Sequence, residues 1–202
     1  MPVTHYLAYP VVLASTSPRR QELLRRLVPE FQVFESDVDE DAMIAPWPWE
    51  TAANCAKAKA EKAFERHPGS IVIAGDTLVV VSGTQKLEQL FKPKDAADAR
   101  RMLGLLSGND HRVITGVHIL WPRGKKAFQV ETTITFRELT STEIASYVAS
   151  GEPMDKAGAY AAQGRGAGFI EHVVGSLTNV IGLPLDEVQN ALAEIAEYSL
   201  AD

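Results

Sequence analysis

Three acidic or basic positions and one short motif in this 202-residue chain have the chemistry to handle a phosphate and an attacking water. The motif is Ser15-Thr16-Ser17-Pro18-Arg19-Arg20, between an apolar run and an amphipathic stretch. Ser17 suits a helix N-cap and Pro18 the first helical position. The N–H groups there attract anions, and two guanidiniums beside them can fork onto phosphate oxygens. An ordinary capped helix with solvated arginines is the alternative. Lys59 is the second feature. Counting helical turns from Ala52, it falls inside an alanine-rich stripe, where an ammonium needs an anion from protein or ligand unless it snorkels to the helix edge. Lys62 lies nearer that edge. Asp76 is the third, read at a strand end beside Gly75, where open α/β sheets line their ligand crevice. A carboxylate there can hold a metal or take a proton from water; a turn-forming Asp with Thr77 as a capping hydroxyl is the alternative. Glu40 sits in the acidic run Asp37–Asp41 and by itself reads as surface charge.

Other chemistries are less well served. The five histidines show no zinc-ligand spacing, and His111, after a Gly-Asn-Asp turn, reads as structural. No G-x-S-x-G elbow supports acyl transfer, and glycines are too few around residues 15–20 for a P-loop. Cys55 is the single cysteine, set in a helical pattern that favours packing, so no internal disulfide can form.

The elements that must position these groups follow from periodicity. Val11–Ala14 reads as a buried strand, followed by a helix with Leu23, Leu24 and Leu27 on one face. Phe31–Glu35 suggests a second strand. Thr51–His67 repeats Ala52, Cys55, Ala56, Ala60, Ala63 and Phe64 at helical spacing. Ile71–Ala74 and Leu78–Val81 read as strands interrupted by Gly75-Asp76-Thr77. A helix over 95–106 turns Met102, Leu103 and Leu106 inward. Strands over 111–120 and 127–136 flank the turn 121–124. Thr140 and Glu143 suggest a capping box for a helix to Ala149. Residues 151–168 are glycine-rich and read as a long loop, a length that points to function. A helix from Leu185 closes the chain.

Composition places these elements in an ordinary globular chain: 46% apolar, 23% charged, with a net charge of −6. That charge argues against a general nucleic-acid coat, though not against an anion held in a locally basic site. There is no Lys or Arg before Arg19, Pro10 breaks the first apolar stretch, and no apolar run is long enough for a bilayer. A cytoplasmic protein with no membrane partner is the expectation.

Taken in order, the segments resemble a known family. Leu13-Ala-Ser-Thr-Ser-Pro-Arg-Arg-Gln-Glu-Leu-Leu24 is similar to the N-terminal signature of the Maf nucleotide pyrophosphatases. The matches continue through Asp37-Val-Asp-Glu40, Ala56-Lys-Ala-Lys59-Ala, Gly75-Asp-Thr77, Lys92-Pro93 and Leu106–Gly116. They end with Gly151-Glu-Pro-Met-Asp-Lys-Ala-Gly-Ala-Tyr160, Gln163-Gly164, Gly175-Ser176 and Gly182-Leu-Pro184. The resemblance spans nearly the whole chain and implies a single Maf-like α/β domain over 1–202. Its fold would be shared with inosine-triphosphate pyrophosphatases: an elongated, twisted mixed sheet, flanking helices and a central cleft between two lobes holding the active site. It implies metal-dependent cleavage between α and β phosphates, a nucleoside triphosphate substrate and a homodimer. By position, Ser15, Arg19, Arg20, Glu40, Lys59, Asp76 and Lys92 correspond to the family's active-site set, with Asp76 as proton acceptor. Glu40 and Asp76 are expected to hold Mg²⁺ or Mn²⁺, and Arg20, Lys59 and Lys92 to bind phosphates.

Arg19, Thr77 and Asp155-Lys-Ala-Gly-Ala-Tyr160 with Gln163 resemble the branch acting on dTTP, UTP and modified pyrimidine triphosphates in nucleotide-pool house-cleaning. The carboxamide of Gln163 can accept from pyrimidine N3–H and donate to O4, a pairing no carboxylate reproduces. Phe91 departs from the glycine usual before Lys-Pro, and the stretch Ser82–Leu90 is longer than usual, so Lys94 is an alternative to Lys92. Competing functions are a pyrophosphatase with another base preference, such as 7-methyl-GTP or a broad range, and a non-catalytic nucleotide- or nucleic-acid-binding regulator of cell division. The absence of an extended basic surface weighs against nucleic acid.

Overall fold

The computed structural model describes residues 7–82 and 87–200, with side chains to residue 197. Residues 1–6, and residues 83–86 within the lengthened stretch before Lys92, lie outside the described residues. The strands are β1 (Val11–Leu13), β2 (Gln32–Val33), β3 (Ile71–Ser82), β4 (Leu87–Leu90), β5 (Asp110–Trp121), β6 (Gly124–Phe136) and β7 (Ile170–Val174). The helices are α1 (Pro18–Arg25), α2 (Pro48–Arg66), α3 (Ala96–Leu106), α4 (Ser141–Ala149), α5 (Leu177–Ile181) and α6 (Leu185–Leu200). The sheet runs β2-β1-β3-β5-β6-β7, with β4 also on β3. β1 is parallel to both β2 and β3, while β3–β4 and β6–β7 are antiparallel. This is the mixed, helix-flanked α/β sheet expected.

The chain divides into two compact units, one of Met1–Asp76, Thr115–Val130 and Gly182–Asp202, the other of Thr77–Ile114 and Glu131–Ile181. In the first unit β1 and the start of β3 are continuous apolar runs, as parallel strands covered on both faces must be. Val12, Ala14, Val72 and Ala74 meet Ala60 and Ala63 of α2. The alanines let helix and sheet come very close. A Cβ added at Gly116 of β5 would stand 2.6 Å from the Ala52 carbonyl oxygen and 2.7 Å from its carbon. Gly116→Ala must therefore displace α2, and we expect a loss of about 1–3 kcal/mol, the usual range for overpacking. Thermal unfolding of the purified variant checks this.

The second unit buries an aromatic core of Phe136, Tyr147, Tyr160 and Phe169, with Met102, Leu103 and Leu106 from α3. His111 lies within it, its Nε2 2.8 Å from the Tyr160 hydroxyl and its ring edge-on to Phe136. This is the structural role expected of it. Burial lowers its pKa from the usual 6.5 to about 4, against the opposing charge of Asp110. The unfolded chain takes up this proton as pH falls through 6.5, the native chain only near 4. The associated stability is complete above pH 6.5 and is lost progressively between 6.5 and 4, on the order of 3 kcal/mol. Denaturation at pH 7.5 and 4.5 should show a smaller pH-dependent loss in His111→Phe than in the parent.

Three segments differ from expectation. Residues 71–82 form one strand rather than two, so Asp76 lies mid-strand and not at a strand end. Gly75 keeps a non-positive φ and is no turn. The second strand shrinks to Gln32–Val33. The loop 151–168 contains three short 3₁₀ turns, at Glu152–Asp155, Ala157–Ala159 and Arg165–Phe169. The capping box is present, with both Thr140 and Glu143 bonds made. No helix among the described residues is long and apolar enough to cross a membrane.

Candidate active site

Alternation along β3 puts Val72, Ala74 and Asp76 on one face, and the first two pack on α2. Asp76 therefore faces the same helix, whose inner stripe includes Cys55, Ala56, Lys59 and Ala60. Lys59 and Asp76 are 7% and 8% exposed, too buried for either to remain unpaired. The Lys59 Nζ donates to Asp76 Oδ1 at 2.7 Å and pairs with Glu40 Oε1, also at 2.7 Å. Burial is the largest influence on Lys59 and works against its charge. The Asp76 carboxylate and the hydrogen bonds to Asp76 and Glu40 together outweigh it, so its pKa lies above the ordinary value. Lys59 is thus a fixed cation rather than a base. Glu40, just before the short turn Asp41–Met43, keeps a half-exposed side chain while its carboxylate reaches Lys59.

The motif after β1 brings the guanidinium. Ser17 caps α1 by accepting from the Arg20 N–H, and Pro18 occupies the first turn. The Ser15 hydroxyl, 8% exposed, accepts from the Ser17 N–H at 3.3 Å and from Arg20 Nη1 at 3.3 Å. Arg20 Nε donates to the Gly182 carbonyl at 2.8 Å, which fixes the fork. Burial lowers the pKa of Arg20, opposed first by the charge of Asp76 and later by that of Glu40, with Arg19 adding to the lowering. A guanidinium remains charged regardless. Ser15, Arg20, Glu40, Lys59 and Asp76 are therefore assembled in one place, with Arg19 half-buried alongside. Lys62 is exposed and donates to the Asp37 carbonyl, the edge role expected.

Two partners were not foreseen. The Cys55 thiol lies one helical turn before Lys59 on the same buried stripe of α2, within the electrostatic reach of Asp76. Burial first, then the Asp76 charge, pushes its pKa up to about 12, so it stays a thiol and is no nucleophile. Its spacing of four from Lys59 was the available signal. The Gly182 carbonyl was the other, signalled only by the Gly182-Leu-Pro184 motif. Lys92, Thr77 and Gln163 belong to the second unit. Thr77 follows Asp76 in β3 and is half-buried, Lys92 and Lys94 are exposed between β4 and α3, and Gln163 is half-buried at a bend.

Glu40 and Asp76, converging on one ammonium, form the kind of carboxylate pair that binds Mg²⁺ when substrate phosphates complete the coordination. Among the described residues no group of three His, Cys, Asp or Glu side chains could hold a metal alone.

The chain matches the Maf-like protein family over residues 10–195. It is 45% identical to a Symbiobacterium thermophilum protein named dTTP/UTP pyrophosphatase over 184 residues, covering 91% of this chain and 93% of that one. A Myxococcus xanthus protein of the same name is 46% identical, covering 88% of each. A Staphylococcus aureus Ham1 protein shares the fold at a TM-score of 0.50 and 16% identity, across 92% of this chain and 98% of that one. On the extent of these matches, this chain belongs to the Maf family.

Proposed function

We propose that this chain is a nucleoside triphosphate pyrophosphatase acting on dTTP, UTP and modified pyrimidine triphosphates, releasing the monophosphate and pyrophosphate. The observation that carries this reading is the Lys59 ammonium bridging Asp76 and Glu40 beside the Ser15-held Arg20. Relatives 44–46% identical bear the name dTTP/UTP pyrophosphatase. Within such a cluster, catalysis consists of neutralising phosphate charge and placing water.

Arg20 and Lys59 bind phosphate oxygens, Lys59 exchanging one carboxylate for the substrate, and Ser15 keeps the guanidinium aimed. Asp76 accepts a proton from the attacking water as the new bond to the α-phosphorus forms. The bond to the bridging oxygen breaks and pyrophosphate leaves. Glu40 and Asp76 are the residues that would hold Mg²⁺ or Mn²⁺, which when bound supplies charge neutralisation at the phosphates. The contributions of Arg19, Thr77 and Lys92, and of Gln163 to the base, rest on the family resemblance, as does a homodimeric state; a cytoplasmic location rests on the composition of the chain.

Pyrophosphate release measured on UTP, dTTP, 5-methyl-UTP, CTP and 7-methyl-GTP with Mg²⁺ or Mn²⁺ tests this reading. The uracil and thymine nucleotides should turn over best; preference for 7-methyl-GTP over UTP contradicts the assignment. Gln163→Glu, which exchanges the amide donor for an acceptor, should lower kcat/KM for UTP by about 10²-fold.

A further inference from the structure

Gln163 sits at the bend of a short turn whose two ends are gripped by one pair of side chains. Tyr147, near the end of α4 and almost wholly buried, donates its hydroxyl to Glu152 Oε1 at 2.9 Å. The same hydroxyl accepts from the Ala161 N–H at 3.1 Å. Glu152 then takes the other end: Oε2 accepts from the Arg165 N–H at 3.3 Å and Oε1 from the Gly166 N–H at 3.2 Å. The neck is tight. A Cβ added at Gly166 would lie 2.5 Å from the Ala161 carbonyl oxygen and 2.8 Å from the Tyr147 hydroxyl. Gly164 holds φ +87°, and a Cβ there would meet the Glu152 carboxylate at 3.1 Å. Residues 161–166 are thus wound onto a carboxylate that does not belong to the phosphate cluster.

We infer that Tyr147 and Glu152 are positioning residues: by clamping both ends of the 161–166 turn they hold the Gln163 carboxamide in one orientation and thereby set base selectivity. This rests on the assignment of Gln163 to the base. A carboxamide distinguishes a uracil edge from others only while its donor and acceptor are held in place, because a mobile one satisfies several bases equally. Three backbone N–H groups pin the turn, and removing the phenol or carboxylate leaves one or more without their acceptor.

The test has two independent readouts on the full chain. Hydrogen exchange at the amides of Ala161, Arg165 and Gly166 should quicken by about tenfold or more in Tyr147→Phe and in Glu152→Gln, with α3 unchanged. KM for UTP should rise by about tenfold with kcat within about threefold, and the UTP-to-ATP ratio of kcat/KM should fall by a similar factor. Glu152→Gln, which keeps one acceptor, should do less than Glu152→Ala. Unchanged exchange in both conservative variants overturns the clamp. Faster exchange with an unchanged ratio, or an equal drop in kcat on both nucleotides, overturns the selectivity claim. If Gln163→Ala alone leaves the ratio unchanged, the base assignment fails, while exchange still decides the clamp.

Discussion

Asp76→Asn is expected to fold, to keep its affinity for nucleotide and to lose about 10³-fold in turnover. The substitution keeps size and one acceptor oxygen, so the Lys59 Nζ retains a partner at the position now 2.7 Å away. What disappears is the charge and the site for the water's proton. The loss should therefore fall on kcat, since an interaction used mainly in the transition state leaves KM nearly unchanged. Removing a carboxylate also removes the strongest support for the Lys59 charge, so its pKa should move back down. Steady-state kinetics on UTP with Mg²⁺, beside a melting curve that verifies folding, checks the outcome. Near-normal pyrophosphate release would remove Asp76 from the role of proton acceptor.

Lys59→Met carries the second large effect. Methionine fills a similar length of the α2 stripe but leaves Asp76 and Glu40 without the cation between them. Removing one partner of a buried pair costs about 3–5 kcal/mol, here moderated because Glu40 is half-exposed and can turn to water. Phosphate binding loses a point charge, and turnover should fall by about 10²–10³-fold. A further consequence separates charge from packing. Two carboxylates with no ammonium between them bind a divalent cation more readily, so Mn²⁺ should raise the melting temperature of Lys59→Met more than that of the parent. Equal shifts in both proteins would mean that Glu40 and Asp76 do not act as a pair.

Much of this site could be read from residue spacing, because a helix converts sequence separation into direction. Position 59 lies in the alanine stripe whatever the partner, so periodicity leaves Lys59 either inward on an anion or snorkelling to the helix edge, and the structure shows the first. The N-cap and first-turn proline of α1 are likewise local, and Ser17 and Pro18 occupy those positions. Glu40 is the contrary case. Its acidic neighbours suggest a solvated run, and nothing local reveals that Lys59, 19 positions on, gathers it in. Asp76 misled in another way. A Gly-Asp-Thr interruption resembles a turn, yet the strand continues because the charge is satisfied by Lys59 of the helix packed on the same face and needs no water. The segment 151–168 reads as an irregular loop because its order comes from Glu152 and Tyr147 bonding to backbone 13–14 residues away, which no periodicity announces.

The most direct measurement is product identification after UTP hydrolysis with Mg²⁺ in ¹⁸O-labelled water. The account predicts UMP and pyrophosphate in equal amounts, with the label on UMP alone, as attack at the α-phosphorus requires. UDP with labelled inorganic phosphate, or label in the pyrophosphate, would contradict it.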